Sequence, residues 1–295
     1  MPTRVHGTQA RRPARGAGAA ACVLAAALAA GAAPPEAHLK GWTRLTLASE
    51  PALLYSGSTT LEVREGTHPG TGRKAAILAT RSAATLLGGI GLEEETTSWI
   101  DRSTGRPIEL LQIRPAQSRR RLLYLDGAVR QTTWEPPEGN PAAPADAWPE
   151  VETAERKLLL PDGQAPPATE WMGDAYALIH ALRGMDLRPA DAVPREFNVL
   201  HRRRLVRMRV EPGPARVQER TVRDEGSGAP VTLRLTERRL LLKGSGEEGG
   251  SVRGLLGMQG DLEMWVDVDS GALVEIRGAV PGLGPAAVSL ASFRR

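Results

Sequence analysis

An eleven-residue pattern occurs twice in this chain. Trp99-Ile100-Asp101-Arg102-Ser103-Thr104-Gly105-Arg106-Pro107-Ile108-Glu109 is followed, 166 residues later, by Trp265-Val266-Asp267-Val268-Asp269-Ser270-Gly271-Ala272-Leu273-Val274-Glu275. Tryptophan, a β-branched residue, aspartate, a hydroxyl residue, glycine, a second β-branched residue and glutamate keep identical spacing. The physics of the pattern is that of a hairpin. The aspartate carboxylate accepts turn amides, the glycine takes the positive φ of the bend, and the tryptophan packs on a sheet face. A chain that uses this device in both halves is constrained to antiparallel β structure, by duplication or by convergence on one favourable turn.

The rest of the sequence agrees with that constraint. Period-two alternation with β-branched residues runs through Leu53 to Arg64, Arg73 to Leu86, Glu94 to Asp101, Arg106 to Arg114, Arg119 to Leu125 and Val129 to Trp134. It resumes over Glu196 to Val210, Arg216 to Arg223, Val231 to Leu242, Leu262 to Asp267, Ala272 to Val280 and Ala286 to Phe293. Asp126-Gly127 marks one tight turn, and Gly66 to Gly72 and Arg102 to Gly105 mark others. Helical spacing is persuasive once, in Asp174 to Arg183, where Ala175, Leu178, Ile179 and Leu182 share a face. Residues 135–170, rich in Pro, Ala and acidic side chains, read as an insertion or long loop. The expected fold is mainly β: an antiparallel sheet curled into a barrel or half-barrel, in one body or two similar halves, with one short helix.

The N-terminus bears on compartment. Arg4, Arg11, Arg12 and Arg15, with no acidic residue, precede an Ala/Gly-rich apolar run to Ala33 and then Pro34-Pro35. A basic start, an apolar stretch and small-residue sites read as a cleaved signal peptide over residues 1–33. The mature chain would then begin between Ala30 and His38 and reside in the periplasm or be secreted. Residues 34–50 are expected to be a flexible segment, and 51–295 a single β-rich domain. The chain's formal charge is +4 and the leader carries four arginines, so the mature domain is neutral. That removes the basic footprint expected of a nucleic-acid binder. The single cysteine, Cys22, leaves with the leader, and stability must come from burial without disulfides.

With the two hairpins Trp99 to Pro107 and Trp265 to Glu275, and the helix Asp174 to Arg183 between them, the chain resembles the exported bacterial family called domain of unknown function 3108. The resemblance runs in order from about Leu53 to Phe293, and departs in Leu273, where a proline is usual, and in the Pro/Ala-rich insertion after Trp134. The hairpin is also similar to one in periplasmic lipoprotein carriers and their half-barrel relatives. These resemblances imply a curved antiparallel sheet; they imply no catalytic residue.

No constellation in the sequence meets the requirements of a catalytic, cofactor or metal site. Gly66-Thr67-His68-Pro69-Gly70-Thr71-Gly72-Arg73-Lys74 lacks the register of a phosphate loop. Asp267-Val268-Asp269-Ser270-Gly271 begins like a calcium loop, but position twelve is Gly278 where a bidentate glutamate is needed. His180 and His201 lie near core elements without a nucleophile in a suitable elbow. The runs Arg119 to Arg121 and Arg202 to Arg204 read as solvated strand ends. The residues singled out are therefore structural: Trp99, Asp101, Gly105, Trp265, Asp267 and Gly271. The functional expectation is a non-enzymatic envelope protein that binds a hydrophobic or lipid-like ligand, or another envelope protein, with no cofactor. Its rivals are an interaction module with a filled core, and a hydrolase in which carboxylates such as Asp101, Asp174, Glu263 and Asp267 converge.

Overall fold

The computed structural model describes residues 38–49, 55–86, 91–160, 162–167, 170–189, 192–201, 204–245, 258–280 and 284–295. The signal peptide expected over residues 1–33 lies outside the described residues, as do Arg202 and Arg203. The strands are β1 Arg44–Ser49, β2 Tyr55–Thr67, β3 Lys74–Leu86, β4 Gly91–Asp101, β5 Pro107–Arg114, β6 Ser118–Leu125, β7 Ala128–Trp134 and β8 Glu150–Lys157. After β9 Met172–Gly173 and the helix α1 Ala175–Arg183 come β10 Arg195–His201, β11 Arg204–Asp224, β12 Pro230–Ser245, β13 Gln259–Asp267, β14 Leu273–Val280 and β15 Gly284–Arg294.

The described strands form one sheet in the order β8-β7-β6-β5-β4-β3-β2-β1-β15-β14-β13-β12-β11-β10-β9. Two antiparallel meanders are thus joined where β1 pairs with β15, and β9 adds to β10 in parallel. Alternation explains the curl. One face carries Leu45, Leu47, Leu61, Leu78, Ile100, Leu240, Leu262, Met264, Ile276 and Phe293, all buried, and folds around α1. The helix presents Ala177, Leu178, Ile179 and Leu182 to that face. The two ends of the sheet meet through side chains: Val129, Leu158, Leu160 and Leu205 cluster with Leu122, Tyr124, Met172 and Leu200. The fold is mainly β, a curled sheet with one α-helix among the described residues.

Part of the curl closes into a ring. β11 and β12 are 21 and 16 residues long, and a strand of 21 residues would span roughly 70 Å if straight. The pair instead bends back across β13 to β15, and Arg223 and Asp224 pair in parallel with Ser292 and Phe293. The bend coincides with a register shift between Pro212 and Ala215. The sequence reading ended one strand at Val210 and began another at Arg216. The structure corrects this: β11 is continuous through Pro212-Gly213-Pro214, because a bulge tolerates residues that cannot donate to a ladder.

Two segments that read as irregular in sequence contain strands. The segment read as flexible, 34–50, supplies β1 together with Leu39 and Trp42, both buried in the cluster that includes α1. Its alternation is short, but each inward residue lands between β2 and β15, in the middle of the sheet. The insertion at 135–170 contains the edge strand β8. β8 showed no alternation because both of its faces are largely exposed.

Candidate functional site

The two hairpins fold to the same register. Trp99 pairs with Glu109 and Ile100 with Pro107 across a bulge; Trp265 pairs with Glu275 and Val266 with Leu273 across another. In each turn the aspartate carbonyl accepts the glycine amide, Gly105 to Asp101 at 2.8 Å and Gly271 to Asp267 at 2.9 Å. The carboxylates cap the same bends: Asp101 Oδ1 accepts the Ser103 and Thr104 amides, and Asp267 Oδ2 accepts the Ser270 amide and hydroxyl. Gly105 and Gly271 have φ of 67° and 64°. Their electrostatics differ. The Ser103 hydroxyl, helped by turn amides and Arg73, holds the Asp101 carboxyl below the ordinary range, whereas burial pushes that of Asp267 up.

The segment containing α1 is held between these turns. At one end the Trp171 Nε1–H donates to the Gly105 carbonyl at 3.0 Å, and Arg106 Nη2 donates to the Glu170 carbonyl at 2.7 Å. At the other, a Cβ on Gly271 would stand 2.5 Å from the carbonyl oxygen of Arg183, the last residue of the helix. The two glycines are alike in φ but not in surroundings, since nothing lies within 4 Å of a Cβ at Gly105. Gly105→Ala is expected to cost about 1–2 kcal/mol through its left-handed backbone alone. Gly271→Ala adds an overpacking cost and should reach roughly 2–5 kcal/mol in urea melts. Equal losses would contradict the contact with α1.

Helix α1 starts on a buried polar cluster. Asp174 is its N-cap, accepting the Tyr176 and Ala177 amides at 2.8 Å through Oδ1, while Oδ2 takes the Tyr124 and Ser98 hydroxyls. Burial raises the Asp174 carboxyl above its usual range despite these donors, and burial likewise drives the Tyr124 and Tyr176 phenols up. The Tyr176 hydroxyl donates to Glu94, which also holds Arg114. Every group has a partner, and the cluster reads as the seat of the helix.

Between the C-terminal half of α1 and the second hairpin the interior is nearly filled. The gap lined by Trp42, Leu78, Ile179, His180, Met264 and Val266 amounts to about 10 Å³, roughly one water. His180 faces it with Nδ1 unpartnered, and burial, then Arg183, lowers its pKa. An acyl chain does not fit there.

Space exists on the other side of the helix. A cleft of about 440 Å³ is lined by Gly105, Trp171, Ala181, Met185, Arg195, Glu196 and Phe197. That volume lies within the range of small-ligand sites. Trp171 and Phe197 meet edge to face, with centroids 5.2 Å apart and planes at 86°, and form a rigid aromatic wall. Glu196 is engaged by Arg207 at 3.8 Å, and Arg195 is exposed and has no ion-pair partner among the described residues. The arrangement offers an apolar wall with one cation at its rim. The sequence reading found none of these residues except Gly105. They come from the first hairpin, the helix and the residues flanking it, and β10, and no local pattern joins them.

His68 was also missed. It is 1% exposed in the β2–β3 turn, its ring edge-on to Trp99 at 5.3 Å. The Thr71 amide donates to Nδ1 at 3.2 Å, which leaves the Nε2–H for Glu109 at 3.2 Å, and Arg121 holds the same carboxylate at 2.6 Å. Hydroxyl, imidazole and carboxylate are in line, with Thr71 Oγ1 3.1 Å from Nδ1. However, the amide occupies the lone pair that a general base would use. The constellation clamps the turn onto the hairpin.

The carboxylates of the hydrolase reading go to separate tasks. Asp101 and Asp267 serve their own turns and Asp174 caps α1. Glu263 accepts the Trp265 Nε1–H at 2.9 Å and faces Arg239 and Arg277. Asp269, second in the calcium-like stretch, lies 3.7 Å from Arg188. Among the described residues no three His, Cys, Asp or Glu side chains are grouped to hold a metal ion. His201 ends β10 opposite Arg204.

No family model matches the chain, and no curated protein matches it. A solved structure described as a β-barrel-like protein of domain of unknown function DUF1849 from Brucella abortus is similar over 85% of this chain and 95% of its own, with 10% sequence identity and a TM-score of 0.48.

Proposed function

We propose that this chain is a non-enzymatic binding module of the cell envelope, exported by its leader and belonging with the domain of unknown function 3108 proteins it resembles. Its ligand is amphipathic, with an apolar body and an anionic head. The cleft carries this reading: about 440 Å³ beside the Trp171–Phe197 wall, against about 10 Å³ inside the sheet. A lipid-like molecule would lie along Trp171, Phe197, Met185 and Ala181 and place its head at Arg195, with no chain threaded through the core. The filled interior favours a second reading, an interaction module without ligand. Titration with a fluorescent fatty acid separates the two. Saturable binding weakened about tenfold by Arg195→Glu supports the cleft, since such a loss is about 1.4 kcal/mol of a charge-assisted contact. Absence of binding, with the fold intact by circular dichroism, leaves the interaction module.

A further inference from the structure

We propose that two copies of this chain associate by pairing their β8 strands antiparallel, so that the two sheets become one continuous sheet. The surface is the outer edge of β8, which stands at the opposite end of the strand order from β9. Among the described residues β8 hydrogen-bonds only to β7. Its sequence, Glu150-Val151-Glu152-Thr153-Ala154-Glu155-Arg156-Lys157, is largely exposed. Unpaired strand edges of this length are templates for another strand, and charge is the usual means of blocking them. Here the charges have a direction instead: acidic at Glu150 and Glu152, basic at Arg156 and Lys157. A parallel neighbour of the same sequence would meet like charges, and an antiparallel one meets opposite charges.

The ladder to β7 restricts the register. Leu158 donates its amide to the Gly127 carbonyl, and hydrogen-bonded pairs alternate along an antiparallel ladder. Residues 156, 154 and 152 therefore turn their backbone groups to β7, and 157, 155 and 153 turn theirs outward; a bulge interrupts the alternation at Val151. Two outward rows meet only when odd residues pair with odd ones. A two-fold at Glu152 or Glu155 is excluded by charge, since it would oppose identical carboxylates. A two-fold at Thr153 would set Lys157 against Pro149, beyond the end of the strand. A two-fold at Ala154 places Glu152 opposite Arg156 twice and Thr153 opposite Glu155 twice. Glu155 already has Arg130 at 2.9 Å, so it brings its own cation to the interface.

Light scattering across a dilution series tests this, and the inference is independent of the ligand cleft. The protein should pass from monomer to dimer as its concentration rises. Thr153→Pro, which removes an outward amide, should abolish the dimer while the melt is unchanged. Glu152→Arg and Arg156→Glu should each weaken self-association by about tenfold, because opposed like charges destabilise a cross-strand pair. Each also breaks the 3.7 Å Glu152–Arg156 contact within β8, so the decisive sample is the equimolar mixture of the two single variants. In the mixture an all-basic pair of positions meets an all-acidic pair, and a heterodimer should form although neither variant dimerises well alone. A protein that stays monomeric at every concentration, a dimer indifferent to Thr153→Pro, or a mixture no more associated than its components would overturn the proposal.

Discussion

Glu237→Gln is expected to lower stability by about 3–5 kcal/mol, the cost of breaking a buried ion pair by removing one partner. In a domain of this size that is a fall of roughly 6–20 °C in Tm. The reason is the ring formed by β11 to β15. It holds Arg216, Arg220, Glu237 and Glu275 together, with Glu237 wholly inaccessible. Arg216 reaches Glu237 at 2.8 Å and Glu275 at 3.2 Å; Arg220 bonds Glu237 through two nitrogens and Glu275 at 2.8 Å. Burial opposes the charge on Glu275, but hydrogen bonds from Arg220 and Arg277 outweigh it and hold that carboxyl below its ordinary range. Burial likewise opposes the charge on Arg220, and the two glutamates outweigh it. Neutralising Glu237 leaves two guanidiniums to share Glu275. Calorimetry of Glu237→Gln beside the double replacement Glu237→Leu with Arg220→Met provides the check. An apolar pair of similar volume should recover much of the loss, and a double variant as weak as the single would contradict the account.

Trp265→Ala should cost about 3–5 kcal/mol, as for a buried tryptophan truncated in place. The ring is 8% exposed, with the Arg216 guanidinium 3.6 Å from its centroid and its Nε1–H on Glu263. Removing it opens a void beneath Arg216 and takes away the surface on which that guanidinium lies. Trp99→Ala should cost less, roughly 1–3 kcal/mol, because that ring is only half-buried and rests against His68. Denaturant melts of both variants give the comparison. A Trp265 loss under about 1 kcal/mol, typical of surface positions, would sink the packing described for the ring.

The two tryptophans mark the limit of what the sequence discloses. Their hairpins are legible because everything that shapes them lies within eleven residues: the aspartate cap, the positive-φ glycine and the alternation. The helix is legible for the same reason, its cap Asp174 and its apolar stripe being local. What covers each hairpin is not local. His68 reaches Glu109 across 41 residues and Arg220 reaches Glu275 across 55, and neither partner carries a pattern that points to the other. β1 is hard to read because its Leu-Thr-Leu alternation is brief. β8 was hidden because an edge strand exposed on both faces has no apolar period to read. The cleft requires the first hairpin, α1 and β10 to be assembled before it exists.

The junction of β1 with β15 sets the order in which the molecule can be completed. Thr43 donates its amide to the carbonyl of Arg294, 251 residues away, and the tip of β11 closes its ring on Ser292 and Phe293 of the same strand. Loops of that length must be closed before these contacts contribute, which makes such topologies slow to fold. During synthesis the first meander can zip as its hairpins emerge. β1 nevertheless keeps one open side, and the ring that holds the Arg–Glu quartet stays unclosed, until β15, which follows the other described strands in sequence, arrives. β15 therefore works as a clasp for both meanders. A chain lacking it is left with two unfinished sheets whose open edges invite association with other chains.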